Sequence, residues 1–168
     1  MEGIRLVEQV TLFLQKMFSK ELVTILVAAL PIAELRGAIP LALGKFSFGV
    51  YKAYLLSVFG NMLPVLPILL LLESVSKWLC QHSKIAKRFF DWLFERTKKR
   101  SKVVEKYGAI GLILFVAIPL PVTGAWTGCV AAFLFGVRRR WAALCILAGV
   151  MIAGVIVTVM SLGALKIM

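Results

Sequence analysis

The sequence predicts an all-α integral membrane protein. The expected form is an inverted repeat of two re-entrant helical hairpins, each followed by a transmembrane helix, with amphipathic helices at the N-terminus and the centre. Three observations predict it. First, 61% of the 168 residues are hydrophobic and the mean hydropathy is +0.93, more apolar surface than one small soluble core can bury, so much of it must face lipid. Second, two polar interruptions bracketed by proline, residues 31–40 and 119–128, sit inside apolar runs. At hydrocarbon depth a charge is expensive, and irregular backbone is tolerated only where protein or a wet cavity surrounds it. Third, Lys and Arg gather in blocks beside the apolar runs, the pattern that orients membrane segments.

The formal charge of +12 therefore points to anionic lipid headgroups as partners and not to nucleic acid, for which no recognition motif is present. Cys80, Cys129 and Cys145 are odd in number and scattered, without CxxC or metal-ligand spacing, and predict apolar fillers; no cofactor or metal is expected. No Ser/His/Asp or Cys/His cluster falls at membrane depth, so the chain is not expected to be an enzyme.

The whole chain, residues 1–168, is expected to form a single membrane domain. Residues 1–21 predict an amphipathic helix. Leu6, Val7, Val10, Leu14, Met17 and Phe18 recur at spacings of three and four, while Glu2, Arg5, Glu8, Lys16 and Lys20 break any apolar core a cleavable signal would need.

Residues 22–72 form the first repeat. The apolar run 22–30 would rise only about 14 Å as a helix, against a hydrocarbon core of about 30 Å. Pro31 disfavours helix at Leu30, Gly37 is expected to supply the turn, and Pro40 to open a returning half-helix. A hairpin accounts for this better than a charged, kinked span. Residues 50–72 are long enough to cross, with Asn61, Pro64 and Pro67 interrupting the centre.

Residues 73–106 carry ten Lys or Arg against four acids, interleaved with Trp78, Phe89, Phe90, Trp92 and Phe94. They predict a cytoplasmic linker with a basic amphipathic helix on the inner leaflet; His82 there reads as a solvated surface residue. Residues 107–165 form the second repeat. If 107–135 crossed the membrane, the linker and the cluster Arg138, Arg139, Arg140 would lie on opposite sides, which the positive-inside rule disfavours. A second hairpin returns both to the cytoplasm, and the helix 141–165 then leaves both termini outside. At an offset of 87 residues, Gly37, Ala38, Phe46, Phe48, Gly49 and Val50 align with Gly124, Ala125, Phe133, Phe135, Gly136 and Val137, six of fourteen positions without a gap. Because the halves insert with opposite polarity, the repeat is inverted, with the hairpin tips meeting near the midplane.

The paired segments Glu34-Leu35-Arg36-Gly37-Ala38-Ile39-Pro40 and Pro119-Leu120-Pro121-Val122-Thr123-Gly124-Ala125-Trp126-Thr127-Gly128 resemble the small multidrug-export protein family, a distant branch of the DedA (VTT-domain) superfamily. The resemblance covers residues 22–165. It implies two opposed re-entrant hairpins and, from the better understood branches, movement of phospholipids or polyprenyl phosphate carriers with proton coupling. Where that superfamily places an arginine in its second hairpin, this chain has Pro-Val-Thr-Gly, so Arg36 is the only arginine at that depth.

The candidate substrate-binding residues are Glu34, Arg36, Gly37, Asn61, Thr123, Gly124, Trp126 and Thr127. Arg36 offers a planar fork that can hold a phosphate bidentately, and half-helix N-termini near Ala38 and Ala125 would add open N–H groups. Glu34 is the candidate proton-coupling carboxylate, because burial favours its neutral form and Arg36 its charged one. The same two residues could instead simply pair or cap helix ends. Thr123 and Thr127 either donate to a headgroup or satisfy local carbonyls. Trp126 packs under a lipid chain or fills a gap between hairpins, and Asn61 faces the cavity or a neighbouring carbonyl. Gly124 and Gly128 form a GxxxG, whose default role is close helix contact.

The expected function is translocation of an amphiphilic anion, a lipid phosphate such as polyprenyl phosphate or phospholipid, with proton coupling. The alternatives are proton-coupled export of small amphipathic cations, in which Glu34 binds cation or proton, and a membrane scaffold. Two hairpins and two spans are few to enclose a cavity, so a homodimer is expected. The expected location is a prokaryotic inner or plasma membrane, crossed more than once.

Overall fold

The computed structural model describes residues 18–82, 108–119 and 124–167. The N-terminal amphipathic helix up to residue 17, the linker's aromatic and basic segment from residue 83, and Thr123 lie outside the described residues. Among those described there are seven α-helices and no strand: α1 (Lys20–Ala29), α2 (Glu34–Pro40), α3 (Val50–Met62), α4 (Val65–His82), α5 (Ala109–Ala117), α6 (Ala125–Leu134) and α7 (Arg139–Ile167).

Local chemistry explains where they begin and end. Ser19 caps α1 by accepting from the Leu22 N–H at 3.4 Å, and the helix stops at Leu30, extended at ψ 136°, because Pro31 excludes helix from the residue before it. Ten residues rise about 15 Å, half a bilayer core. α2 runs on into a π-helical turn, Leu41–Lys45. α3 ends ahead of Pro64, while Pro67 sits in the first turn of α4, where its missing donor costs nothing. Taken together, Val50–Leu72 and Arg139–Lys166 are apolar and long enough to cross a membrane.

Three expectations for the first half need correcting. The turn between α1 and α2 does not use Gly37, which lies inside α2, where a Cβ would come 2.9 Å from Ala33 Cβ; its small size serves packing. The left-handed backbone falls on Glu34, at φ 44°. Pro40 closes α2 instead of opening a helix, and the returning helix starts at Glu34 instead of near Ala38. Beyond residue 72, α4 continues to His82, so the start of the assigned linker extends the helix. His82 is exposed and stacks on Trp78 at 4.6 Å between centroids.

The two halves share one order of elements: a short helix, a break, a short helix, then a long segment, starting at residues 20, 34 and 50 and again at 109, 125 and 139. Within each half the first short helix packs on the long segment, α1 on α3 and α5 on α7. Between halves the second short helix crosses over, α2 packing on α7 and α6 on α4. Small residues make these contacts close. A Cβ at Gly60 would strike the Ile25 backbone, at Gly149 it would lie 2.7 Å from Val116 Cβ, and at Gly154 2.8 Å from the Tyr54 ring. Tyr54 also reaches across to donate to the Met151 carbonyl at 3.0 Å.

A core of Leu35, Ile39, Val65, Leu112, Val116, Cys129, Ile146 and Val150 joins both halves, with a smaller one around Val23, Val27 and Ala38. Outside, Leu55, Phe59, Leu66, Val155, Val159 and Met160 are each at least half exposed. Such continuous apolar faces on the two long segments suit hydrocarbon as their solvent.

Candidate functional site

The breaks after α1 and α5 bring their neighbouring short helices together. Glu34 opens α2 and is 8% exposed, and its carboxylate lies against Gly124, beside the backbone N–H groups of Ala125 and Trp126 in the first turn of α6. Those donors have no partner within their own helix, and the positive end of the helix dipole favours a negative group there. Gly124, just before α6, is extended at φ 167°, a conformation any residue adopts. It must be glycine for space: a Cβ there would overlap the Glu34 carboxylate.

A hydrogen bond secures the junction. The Trp126 indole Nε1–H donates to the Ala29 carbonyl at 3.2 Å, serving one of the carbonyls left open at the end of α1. Thr127 Oγ1 accepts from the Gly124 N–H at 3.0 Å and lies 3.3 Å from the Gly124 carbonyl, to which it can donate; the hydroxyl therefore serves its own helix start. Gly128 lets α6 approach α5, where a Cβ would stand 2.6 Å from Val116 Cγ2. Cys129, buried, donates its thiol towards the Val65 carbonyl at 3.8 Å, as a packed filler would.

A small recess remains beside Glu34, roughly large enough for one water molecule. Arg36, Asn61, Gly124 and Ala125 line it with apolar walls from Leu35, Val116, Pro119, Val150, Ala153 and Val157. Arg36 is partly exposed, and its charge acts on Glu34. Asn61 is 1% exposed and lines the recess, and no donor reaches its Oδ1.

Of the candidates, Glu34, Arg36, Asn61 and Gly124 therefore share one recess, while Trp126 bonds to Ala29 and Thr127 to Gly124 at the start of α6. Gly37 stands apart in the packing of α1 against α2. The expected N–H groups at Ala125 stand beside the Glu34 carboxylate. Sequence reasoning missed the backbone partners, the Ala29 carbonyl and the Ala125 and Trp126 N–H groups, since every residue has such groups and composition cannot mark them. It also missed the wall from α7, although Val150, Ala153 and Val157 stand at helical spacings of three and four.

Residues 34–156 match the model of the family described as "Putative small multi-drug export protein". No curated protein and no solved structure matches the chain. The chain belongs to that family, whose match begins at Glu34 itself.

Proposed function

We propose that this member of the small multi-drug export family is a proton-coupled membrane transporter that exports small amphipathic cations, with Glu34 as the group that takes up proton or cation. One observation carries the reading: the buried charge at the junction of the two halves is a carboxylate, set against Gly124 at the start of α6. An incoming phosphate would meet a negative group in front of the α6 N–H groups, which weakens the anion reading. A carboxylate suits a cation, and neutralising it loosens its hold on α6, so ligand binding and the junction between halves are coupled.

The crossed packing of α2 on α7 and α6 on α4 supports an inverted repeat of two re-entrant hairpins, and the basic clusters support a cytoplasmic linker with both termini outside. Such a short chain is proposed to work as a homodimer in contact with anionic lipid. A lipid-phosphate substrate remains the second reading, because Arg36 lines the same recess and could take a headgroup bidentately.

Vesicles reconstituted with the protein and loaded, separately, with a cationic dye and a fluorescent polyprenyl-phosphate analogue test both. The expected result is proton-driven dye transport that Glu34→Gln abolishes and Arg36→Lys leaves largely intact. Transport of the phosphate analogue that fails in Arg36→Lys would replace the first reading with the second. Indifference of both cargoes to either residue would leave Glu34 and Arg36 a purely structural pair.

A further inference from the structure

Among the described residues, the buried side-chain polar atoms without a hydrogen-bond partner are Asn61 Oδ1 and Ser57 Oγ, both on α3 and one helical turn apart. An unmet acceptor at 1% exposure is costly, and proteins keep such a group where something binds it part of the time. Asn61 lines the recess that also holds Glu34. The two sides of that carboxyl are thus unlike. On one stand the Ala125 and Trp126 N–H groups, and donors favour the ionised form. Across the recess stands the Asn61 amide, whose unpartnered oxygen can only accept, and an acceptor can bond a carboxyl only when it carries its proton.

The geometry points to a proton-binding site made by Glu34 and Asn61 together, in which the amide oxygen accepts the O–H of protonated Glu34, directly or across the one water the recess has room for. Ionised, the carboxyl holds α6; protonated, it turns its hydrogen to α3. The proton comes from and returns to water, and no other bond changes. The other charged or titratable groups near Glu34 are Arg36, on its own helix, and the Cys129 thiol of α6; the walls from α5 and α7 are Val116, Val150, Ala153 and Val157 and carry no charge. Arg36 disfavours a metal cation in this recess but not a neutral acid, which is why the ligand is assigned as a proton. The inference rests on the reading that Glu34 titrates during transport and assigns Asn61 as the residue that positions its proton.

Infrared titration of the purified full-length protein in lipid nanodiscs tests this without any transported compound. The carbonyl stretch of protonated Glu34 is the band lost in Glu34→Gln. In Asn61→Leu its midpoint should move about one pH unit lower, the tenfold loss of proton affinity that a missing hydrogen bond of ordinary strength brings. Its frequency should rise, because the O–H no longer bonds to an amide oxygen. Asn61→Ala, smaller than the native residue, should do the same if leucine does not fit. Ser57→Ala removes an equally buried unpartnered oxygen outside the recess and should leave both readings in place. An unmoved band in the Asn61 variants overturns the proposal, as does an equal shift in Ser57→Ala or the absence of any Glu34 band at every pH the fold tolerates. A shift in Asn61→Leu without dye transport by the native protein leaves this proposal standing and removes the export reading. Dye transport that needs Glu34, with an unmoved band, does the reverse.

Discussion

The break ahead of Glu34, residues 30–33, and the start of α6 at Gly124 and Ala125 hold matching places in the order of elements and carry opposite chemistry. The first delivers a charged side chain on strained backbone: Glu34 at φ 44° sits in a region that costs a side-chain-bearing residue about 1–3 kcal/mol. The second delivers no side chain at all at the decisive position. Gly124 leaves a space, and α6 offers backbone N–H groups behind it. Complementary partners are what such a junction needs, since two carboxylates facing each other would repel and two glycines would leave nothing to hold. The lesson is that the segment without a charge at the junction takes as large a part in the site as the segment with one.

The largest effect should come from removing the space. Gly124→Val places carbon where the Glu34 carboxylate lies, and overpacking of this kind costs about 1–3 kcal/mol. Denaturant unfolding in bicelles should register that loss, together with loss of transport. Because the clash is with one side chain, adding Glu34→Asp, shorter by one methylene, should restore part of the stability; no restoration would mean the two breaks do not meet at this carboxyl.

A smaller effect separates strain from charge at the first break. Glu34→Gly and Glu34→Ala both lose the carboxylate, but only glycine is at ease at positive φ, so the glycine variant should be the more stable by about 1 kcal/mol. Equal stabilities would show that the left-handed backbone is not held in the membrane-embedded protein.

The smallest concerns the rim of the second break. Thr127→Val keeps the shape but loses the hydroxyl that accepts from the Gly124 N–H, which should cost about 0.5–1 kcal/mol, while Thr127→Ser should retain most of it. A much larger effect on transport than on stability would move Thr127 from helix capping to contact with cargo.

Much of the fold was legible in the chain because prolines and apolar runs act locally. Pro31, Pro64 and Pro119 each mark a helix end within a residue or two, and α6 begins at Ala125 as expected, whereas Ala38, its counterpart at an offset of 87, lies inside α2. Gly37 misled for a physical reason: glycine signals either backbone freedom or a close contact, and nearby residues do not say which. Here the contact with Ala33 decided it, and the left-handed position went to Glu34, a residue whose type carries no such signal. Asn61 was legible as a polar group at membrane depth, but not the direction of its amide.

By itself the sequence determined that the protein is helical and apolar enough for a membrane, where most of its helices break, and that Glu34 and Arg36 are the charges beside the first break, because hydropathy, proline stereochemistry and charge are properties of single residues and their neighbours in the chain. Only the tertiary structure decided what those charges meet. Glu34 meets the start of α6 in the other half of the chain, beside backbone atoms that no residue type announces. Packing α2 on α7 and α6 on α4 sets that carboxylate where the sequence alone suggested open donors.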